Sequence, residues 1–434
     1  MSLVKKSFVK FIFALAVIMA GANLTAMAQS SAKLAATILE DTSLNRVKDM
    51  AESLLKTGFN AGSSYGEVWI RDFNTFMTLS CKVMPADSVR KRLKVFFEMQ
   101  GKDGNILDGY IPKSKADAGY DYIYSKNAPQ FAGHKNTVET DQETSLIQAV
   151  FKYVEATKDA EFLSDVIDGK SVKAHMSDAL QFLMTKRYSP KYGLIYGATT
   201  VDWGDVQPET PWGVRMDSLS HLAIDIYDNS MLVIALNDYL ELFPSDSHWA
   251  AVRKNIIKNI RKHLWDKKHQ KFIPHIYLHG SPFPADFDEN KINYHGGTAV
   301  AIEAGLLSKK EIQEVNKQML KDVKASGAQS IGLTVYPPYP AGFFKNKGMY
   351  PYGYQNGGDW TWFGARMITA LVKYGFVQDA YNEIQPMINR VIANHGFYEW
   401  YTREGKPAGS ALFRGGAGVL YTAINALQDW AKEK

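Results

Sequence analysis

Four short segments set carboxylates, a guanidinium or an amide beside tryptophans. Glu67-Val-Trp-Ile-Arg-Asp-Phe73 carries Trp69, Arg71 and Asp72. Val201-Asp-Trp-Gly-Asp-Val206 carries Asp202, Trp203 and Asp205. Tyr354-Gln-Asn-Gly-Gly-Asp-Trp-Thr-Trp362 carries Asn356, Asp359, Trp360 and Trp362, and Gly396-Phe-Tyr-Glu-Trp-Tyr401 carries Glu399 and Trp400. This is the mixture that sugars need. Aromatic faces stack on the apolar faces of the rings, and planar carboxylates, amides and guanidinium pair with adjacent hydroxyls. Two carboxylates on opposite sides of a glycosidic bond supply the acid and the base of hydrolysis.

Each segment has a plainer reading as well. Trp69, Arg71 and Asp72 suit an ion pair packed on an indole. Asp202 or Asp205 could cap a helix or a turn, Glu399 could be a solvated loop acid, and Gly357-Gly358 could be a turn before a helix. The recurrence of one combination in four loops favours a common site. No His-Glu-x-x-His, paired Cys-x-x-Cys or Asp-rich calcium loop occurs, so no catalytic metal is expected. Neither a Gly-x-Ser-x-Gly elbow nor a phosphate or dinucleotide fingerprint is found, and no cofactor is expected.

The elements that must position these residues read as helices. Apolar residues recur at i, i+3, i+4 and i+7 over Leu34–Leu55, Val138–Thr157, Val172–Lys186, Ser218–Leu242, Trp249–Trp265, Lys309–Val323, Trp360–Tyr374, Val377–Ala393 and Gly415–Ala431. Shorter helices fit Phe73–Val83, Ser88–Met99 and Thr298–Leu306. Between them run long loops rich in Gly, Pro and aromatics, at 101–137, 192–217, 332–359 and 395–414. About twelve helices with such loops predict an all-α fold, an (α/α)6 toroid whose loops form a pocket at one end.

Composition narrows the class further. The chain has 434 residues, a net charge of +5 and one cysteine, Cys81, so a core rather than disulfides must stabilise it. Its lysines are scattered among acids, without the basic face of a nucleic-acid binder. Residues 1–28 read as a secretory signal: Lys5, Lys6 and Lys10, an apolar run from Phe11 to Ala20, then Ala26-Met27-Ala28 as a cleavage site. That run is too short to span a bilayer. The expected product is a single catalytic domain, 29–434, in the periplasm or secreted, with no membrane insertion; its oligomeric state is left open.

The same motifs carry a resemblance. Val68-Trp-Ile-Arg-Asp-Phe73 is similar to the Arg-Asp loop of six-hairpin glycosidases, particularly neutral invertases of glycoside hydrolase family 100. Val138-Glu-Thr-Asp-Gln-Glu-Thr-Ser-Leu146 is similar to a helix found there and in amylo-α-1,6-glucosidases. Tyr354-Gln-Asn-Gly-Gly-Asp-Trp360 resembles their Tyr-His-Asn-Gly-Gly-x-Trp loop, and Tyr398-Glu-Trp-Tyr401 their Glu-Tyr-Tyr segment. The order of motifs matches from about Tyr65 onward, and the resemblance extends to family 63 glucosidases and trehalases.

The resemblance implies an inverting glycoside hydrolase with Glu399 as general base, and long loops at one rim of a toroid favour a pocket and hence exo action, expected on an α-linked glycan. The general acid falls in Val201–Val206. Asp205 leads because Trp203-Gly204 precedes it, while an invertase-like alignment favours Asp202. Arg71 and Asp72 would hold hydroxyls of the terminal sugar, with Trp69, Asp141, Trp203, Asn356, Asp359, Trp360 and Trp400 lining the pocket. Gln142-Glu143 and Trp360-Thr361 depart from the invertase pattern, so sucrose does not follow as the substrate. Toroids of this kind also host sugar epimerases and polysaccharide lyases, for which His134, His221, His295 and His395 are the available groups. A non-catalytic carbohydrate binder would use the same aromatics and acids.

Overall fold

The structure, a computed structural model, describes residues 29–117, 121–211 and 214–434; the expected signal segment lies outside them. A helix over 29–40 stops at Asp41, whose carboxylate accepts the Ser43 amide at 3.0 Å and starts the next helix. One expected helix from Leu34 is therefore two. In chain order the helices after Asp41 are α1 (Thr42–Leu55), α2 (Ile70–Val83), α3 (Ala86–Glu98), α4 (Asp141–Thr157), α5 (Val172–Lys186), α6 (Ile226–Leu242), α7 (Ser247–His263), α8 (His295–Glu303), α9 (Lys309–Ser326), α10 (Thr361–Lys373), α11 (Val377–Ala393) and α12 (Arg414–Lys432).

Even-numbered helices form an inner ring. α2 packs on α4, α4 on α6, α6 on α8, α8 on α10, α10 on α12, and α12 returns to α2. Odd-numbered helices lie outside. The expected all-α (α/α)6 toroid is thus the architecture observed. Burial follows from position: α6 and α8 are covered on nearly every face, whereas α7 and α9 bury only a stripe and expose Lys and Arg elsewhere. Outer helices α1, α5, α7 and α9 start at side-chain caps, Asp41, Ser171, Asp246 and Ser308, the last in a capping box with Glu311. Inner helices other than α6 start differently. At α2, α4, α8, α10 and α12 the residue before the first turn gives no side-chain cap, and at three of these it is aromatic and borders the site described below: Trp69, Trp360 and Phe413.

Short antiparallel strands in the loops fix how the chain enters these helices. Val68–Trp69 pairs with Gly109–Pro112, which pairs with Phe131–His134. Leu222–Ile224 pairs with Gly197–Ala198 and Ile276–Tyr277, so the expected helix from Ser218 begins only at Ile226, after the Asp225 cap. Tyr398–Tyr401 pairs with Pro407–Ala411, and its register shifts between Tyr398 and Trp400. A second, smaller core of Val201, Phe283, Ile292, Tyr294, Val335, Tyr339, Phe344 and Met349 holds the loops 192–217 and 332–359 against the segment 283–294. Among the described residues no helix is long and apolar enough to cross a membrane.

Candidate active site

A cavity of about 850 Å³ opens where the loops before α2, α4, α6, α10 and α12 meet, a volume suited to a ligand larger than one sugar ring. Arg71, in the first turn of α2, organises its floor. The guanidinium donates to Glu139 Oε1 at 2.7 Å and to the Trp203 carbonyl at 3.0 Å. Its Nε lies 3.4 Å from Asp141 Oδ2 and its Nη2 3.7 Å from Asp205 Oδ2. The rings of Trp203 and Trp362 flank it at 5.8 and 5.9 Å. A single cation thus faces three carboxylates.

Two more carboxyls share this floor. Burial pushes Asp72 up to about 7, with the Glu399 and Asp141 charges adding and Arg71 opposing. Burial likewise pushes Asp108 up to about 8 against the pull of Arg71. Asp108 precedes the strand Gly109–Pro112, and its backbone carbonyl accepts the Ile70 amide, which ties it to the start of α2.

Asp205 and Glu399 approach the cavity from different loops. Asp205 keeps 24% of its side chain exposed, and its Oδ1 accepts the Gln355 amide at 2.7 Å. Glu399 sits at the register shift of its strand, the kind of irregularity that re-aims a side chain. Tyr65 donates to its Oε1 at 2.9 Å and the Ser410 amide to its Oε2 at 2.7 Å. Burial raises the Glu399 carboxyl above the usual range; those two hydrogen bonds oppose the rise and the Asp205 charge adds to it.

Of the residues expected at the site, Trp69, Arg71, Asp72, Trp203, Asp205, Trp360, Glu399 and Trp400 line the cavity. Four others do not. Asp202 is 2% exposed and turns away in a left-handed conformation, φ +54°, to accept the Gly297 amide at 2.9 and 2.8 Å on its two oxygens. It closes the N-terminus of α8. Asp141 is buried beneath Arg71 and accepts the Tyr227 hydroxyl at 2.8 Å. Asn356 ties its own loop, accepting the Tyr339 amide and donating to the Tyr339 and Met349 carbonyls. Asp359 accepts from Ser330 and pairs with Arg390 at 2.8 Å. Each is a polar group whose burial demands partners, and each finds them in loop backbone, a neighbouring hydroxyl or an ion pair.

The indoles also divide. Trp203 is 4% exposed and packs edge-on against Trp360 and Trp362 with ring centres 4.5 and 5.3 Å apart, a base for the floor rather than an open stacking face. Among the four histidines noted, His134 reaches the cavity, its ring edge-on to Trp69. His221 pairs with Glu209 at 2.6 Å and His295 with Asp322 at 3.1 Å, away from it. Sequence reasoning missed Tyr65, Asp108, Tyr350, Tyr354 and Gln355, all of which line the cavity. Tyr354 and Gln355 stood inside a segment already singled out; Asp108 and Tyr65 lacked the carboxylate-beside-tryptophan signal.

Comparison with known proteins gives the family and agrees with the fold. Residues 27–406 match the model of the glycosyl hydrolase 94 superfamily, catalytic domain. The chain belongs to that superfamily. The six-hairpin glycosidase group expected from the loop motifs is therefore its group, although family 94 is not one that the motifs single out. No curated protein sequence matches. Among solved structures, a family 63 mannosylglycerate hydrolase from Thermus thermophilus, in complex with Tris and D-glycerate, superposes with a TM-score of 0.61 at 14% identity, covering 87% of this chain and 99% of that one. The same hydrolase in complex with glucose gives 0.62 at 14%, with the same coverage. A rhamnosidase from Klebsiella oxytoca with rhamnose bound gives 0.57 at 12%, covering 88% of this chain and 63% of that one. At these identities the likeness speaks for the fold.

Proposed function

We propose that this glycosidase-superfamily member hydrolyses an α-linked glycosidic bond at the end of a glycan or oligosaccharide, with inversion. Asp205 is the general acid and Glu399 the general base. The observation that carries the reading is that these two carboxylates, from loops far apart in sequence, face one cavity around Arg71. Asp205 is partly exposed and lines the cavity; Gln355 holds its Oδ1, and its Oδ2, 3.7 Å from Arg71 Nη2, is the oxygen proposed to protonate the leaving group. Glu399 is fixed by Tyr65 and the Ser410 amide, and a carboxylate so oriented can take a proton from water on the opposite face of the sugar. Asp72 and Asp108 offer acceptors to its hydroxyls. The leader-like first 28 residues fit a periplasmic or secreted enzyme, which N-terminal sequencing of the protein recovered outside the cytoplasm would check.

Time-resolved proton NMR of residues 29–434 with α-linked gluco-, manno-, galacto- and rhamno-oligosaccharides, sucrose and trehalose tests the mechanism. The expected result is release of the inverted anomer, with Glu399→Gln slower by a factor of about 10³ or more and sugar binding little changed. Release of the retained anomer, or undiminished turnover by Glu399→Gln, sinks the two-carboxylate mechanism. An epimerised or unsaturated product would point instead to proton abstraction by His134.

A further inference from the structure

The charges around the cavity are lopsided. Glu67, Asp72, Asp108, Asp117, Asp205 and Glu399 line it, against Arg71 as the single lysine or arginine among the described lining residues. Arg71 is already committed to Glu139, Asp141 and Asp205. Among the described lining residues a bound carboxylate would find no uncommitted cation to pair with, and it would add negative charge to a cavity where burial first, and then neighbouring carboxylates, already raise Asp72 and Asp108. His134 gives no relief, because burial and the Arg215 charge disfavour its imidazolium. What the mouth offers instead is an apolar face: Tyr350 lines the cavity with 51% of its surface open to solvent.

We infer that the leaving group is an uncharged sugar ring stacked on Tyr350, and that an acidic aglycone such as glycerate is refused. The likeness to a mannosylglycerate hydrolase then stops at the fold. The inference rests on the glycosidase reading for the meaning of leaving group, and its test separates the two. Glycosyl fluorides carry no leaving-group sugar, so α-glucosyl, α-mannosyl, α-galactosyl and α-rhamnosyl fluorides report on the catalytic pair alone; the matching disaccharides and mannosylglycerate report on the rim.

The expected result is hydrolysis of one fluoride and of a neutral disaccharide with the same terminal sugar, with mannosylglycerate left intact. Tyr350→Ala should raise KM for the disaccharide about tenfold, the scale of one aromatic contact, and leave fluoride hydrolysis within about twofold. Tyr350→Phe, which keeps the ring, should restore the disaccharide KM. Cleavage of mannosylglycerate at a comparable rate, or an equal effect of Tyr350→Ala on fluoride and disaccharide, overturns the inference while the hydrolase reading stands. If the wild type hydrolyses no fluoride, the hydrolase reading is what fails. Calorimetry with D-glucose and D-glycerate still decides the charge preference without turnover: glucose is expected to bind more tightly, and glycerate binding as tightly or more overturns it.

Discussion

Asp202 and Asp205 are three residues apart on one loop and do opposite things. Asp202 spends both oxygens on the Gly297 amide, so it has no free face toward a ligand. Asp205 gives one oxygen to Gln355 and stays partly open. Under the proposed mechanism, Asp205→Asn should lower kcat by about 10² to 10⁴, the usual weight of a general acid, while Asp202→Asn should keep most of the turnover per folded molecule. The reverse pattern in steady-state kinetics would move the acid to Asp202. The two should also differ in stability. Burial pushes Asp202 up to about 8 despite its hydrogen bonds, above its value in the unfolded chain. Folding then takes up a proton between about pH 4 and 8, so this group's contribution is fullest at acid pH and is lost as pH rises through 8. Thermal unfolding at pH 5 and at pH 8 should show a smaller drop for Asp202→Asn than for the wild type.

At the level of elements, the site is assembled from helix beginnings. Trp69, Trp360 and Phe413 stand just before α2, α10 and α12 and line the cavity, and the loop of Asp202 and Asp205 is pinned to the beginning of α8. This explains His295-Gly296-Gly297 there. A Cβ on Gly297 would lie 2.8 Å from Ile226 Cγ2 and closer still to the Asp202 carboxylate. Glycine to alanine in a helix ordinarily stabilises by about 1 kcal/mol. Here the overpacking should reverse the sign, and Gly297→Ala is expected to lose about 1 to 3 kcal/mol in denaturant unfolding and to weaken catalysis through Asp205. Outer helices such as α7 and α9 were legible from apolar spacing because they bury a single stripe, whereas α6 and α8, covered on nearly every face, show as mostly apolar runs. Helix starts at Thr42, Asp141 and Ile226 were less legible, since an apolar pattern runs on past the first turn. The loop motifs fall in the walls of the cavity, but they do not tell which neighbour faces it: Gln355 rather than Asn356, Trp362 rather than Asp359. That choice depends on the short strands and on the Tyr339-centred second core, whose partners are distant in sequence.

For the whole molecule, the decisive contact is the one that closes the ring. The last inner helix must return to the first, and α12 does so at Gly418, where a Cβ would lie 2.5 Å from Phe76 Cα and Cβ and 2.7 Å from the Thr75 carbonyl. The two backbones touch with no room for a side chain. Arg414 reinforces the closure from the same helix, donating to the Asn60 carbonyl at 2.8 Å and to Thr57. Because Phe76 belongs to the helix that begins with Arg71 and Asp72, and Gly418 to the helix entered just after Glu399 and Phe413, this contact also sets the separation of the two sides of the site. Gly418→Ala cannot be absorbed by a flexible side chain and must push α12 from α2. It should cost about 1 to 3 kcal/mol or more, read as a lower denaturant midpoint, and lower kcat in the fraction still folded. Gly327, with open space around its Cβ position, is the contrasting site at the end of outer helix α9. Its replacement by alanine strains only a local left-handed residue, φ +77°, so stability should fall by about 1 kcal/mol with kcat unchanged. Equal kinetic effects of the two substitutions would mean that the separation of Glu399 from Arg71 and Asp72 is set by the loops, and not by closure of the ring.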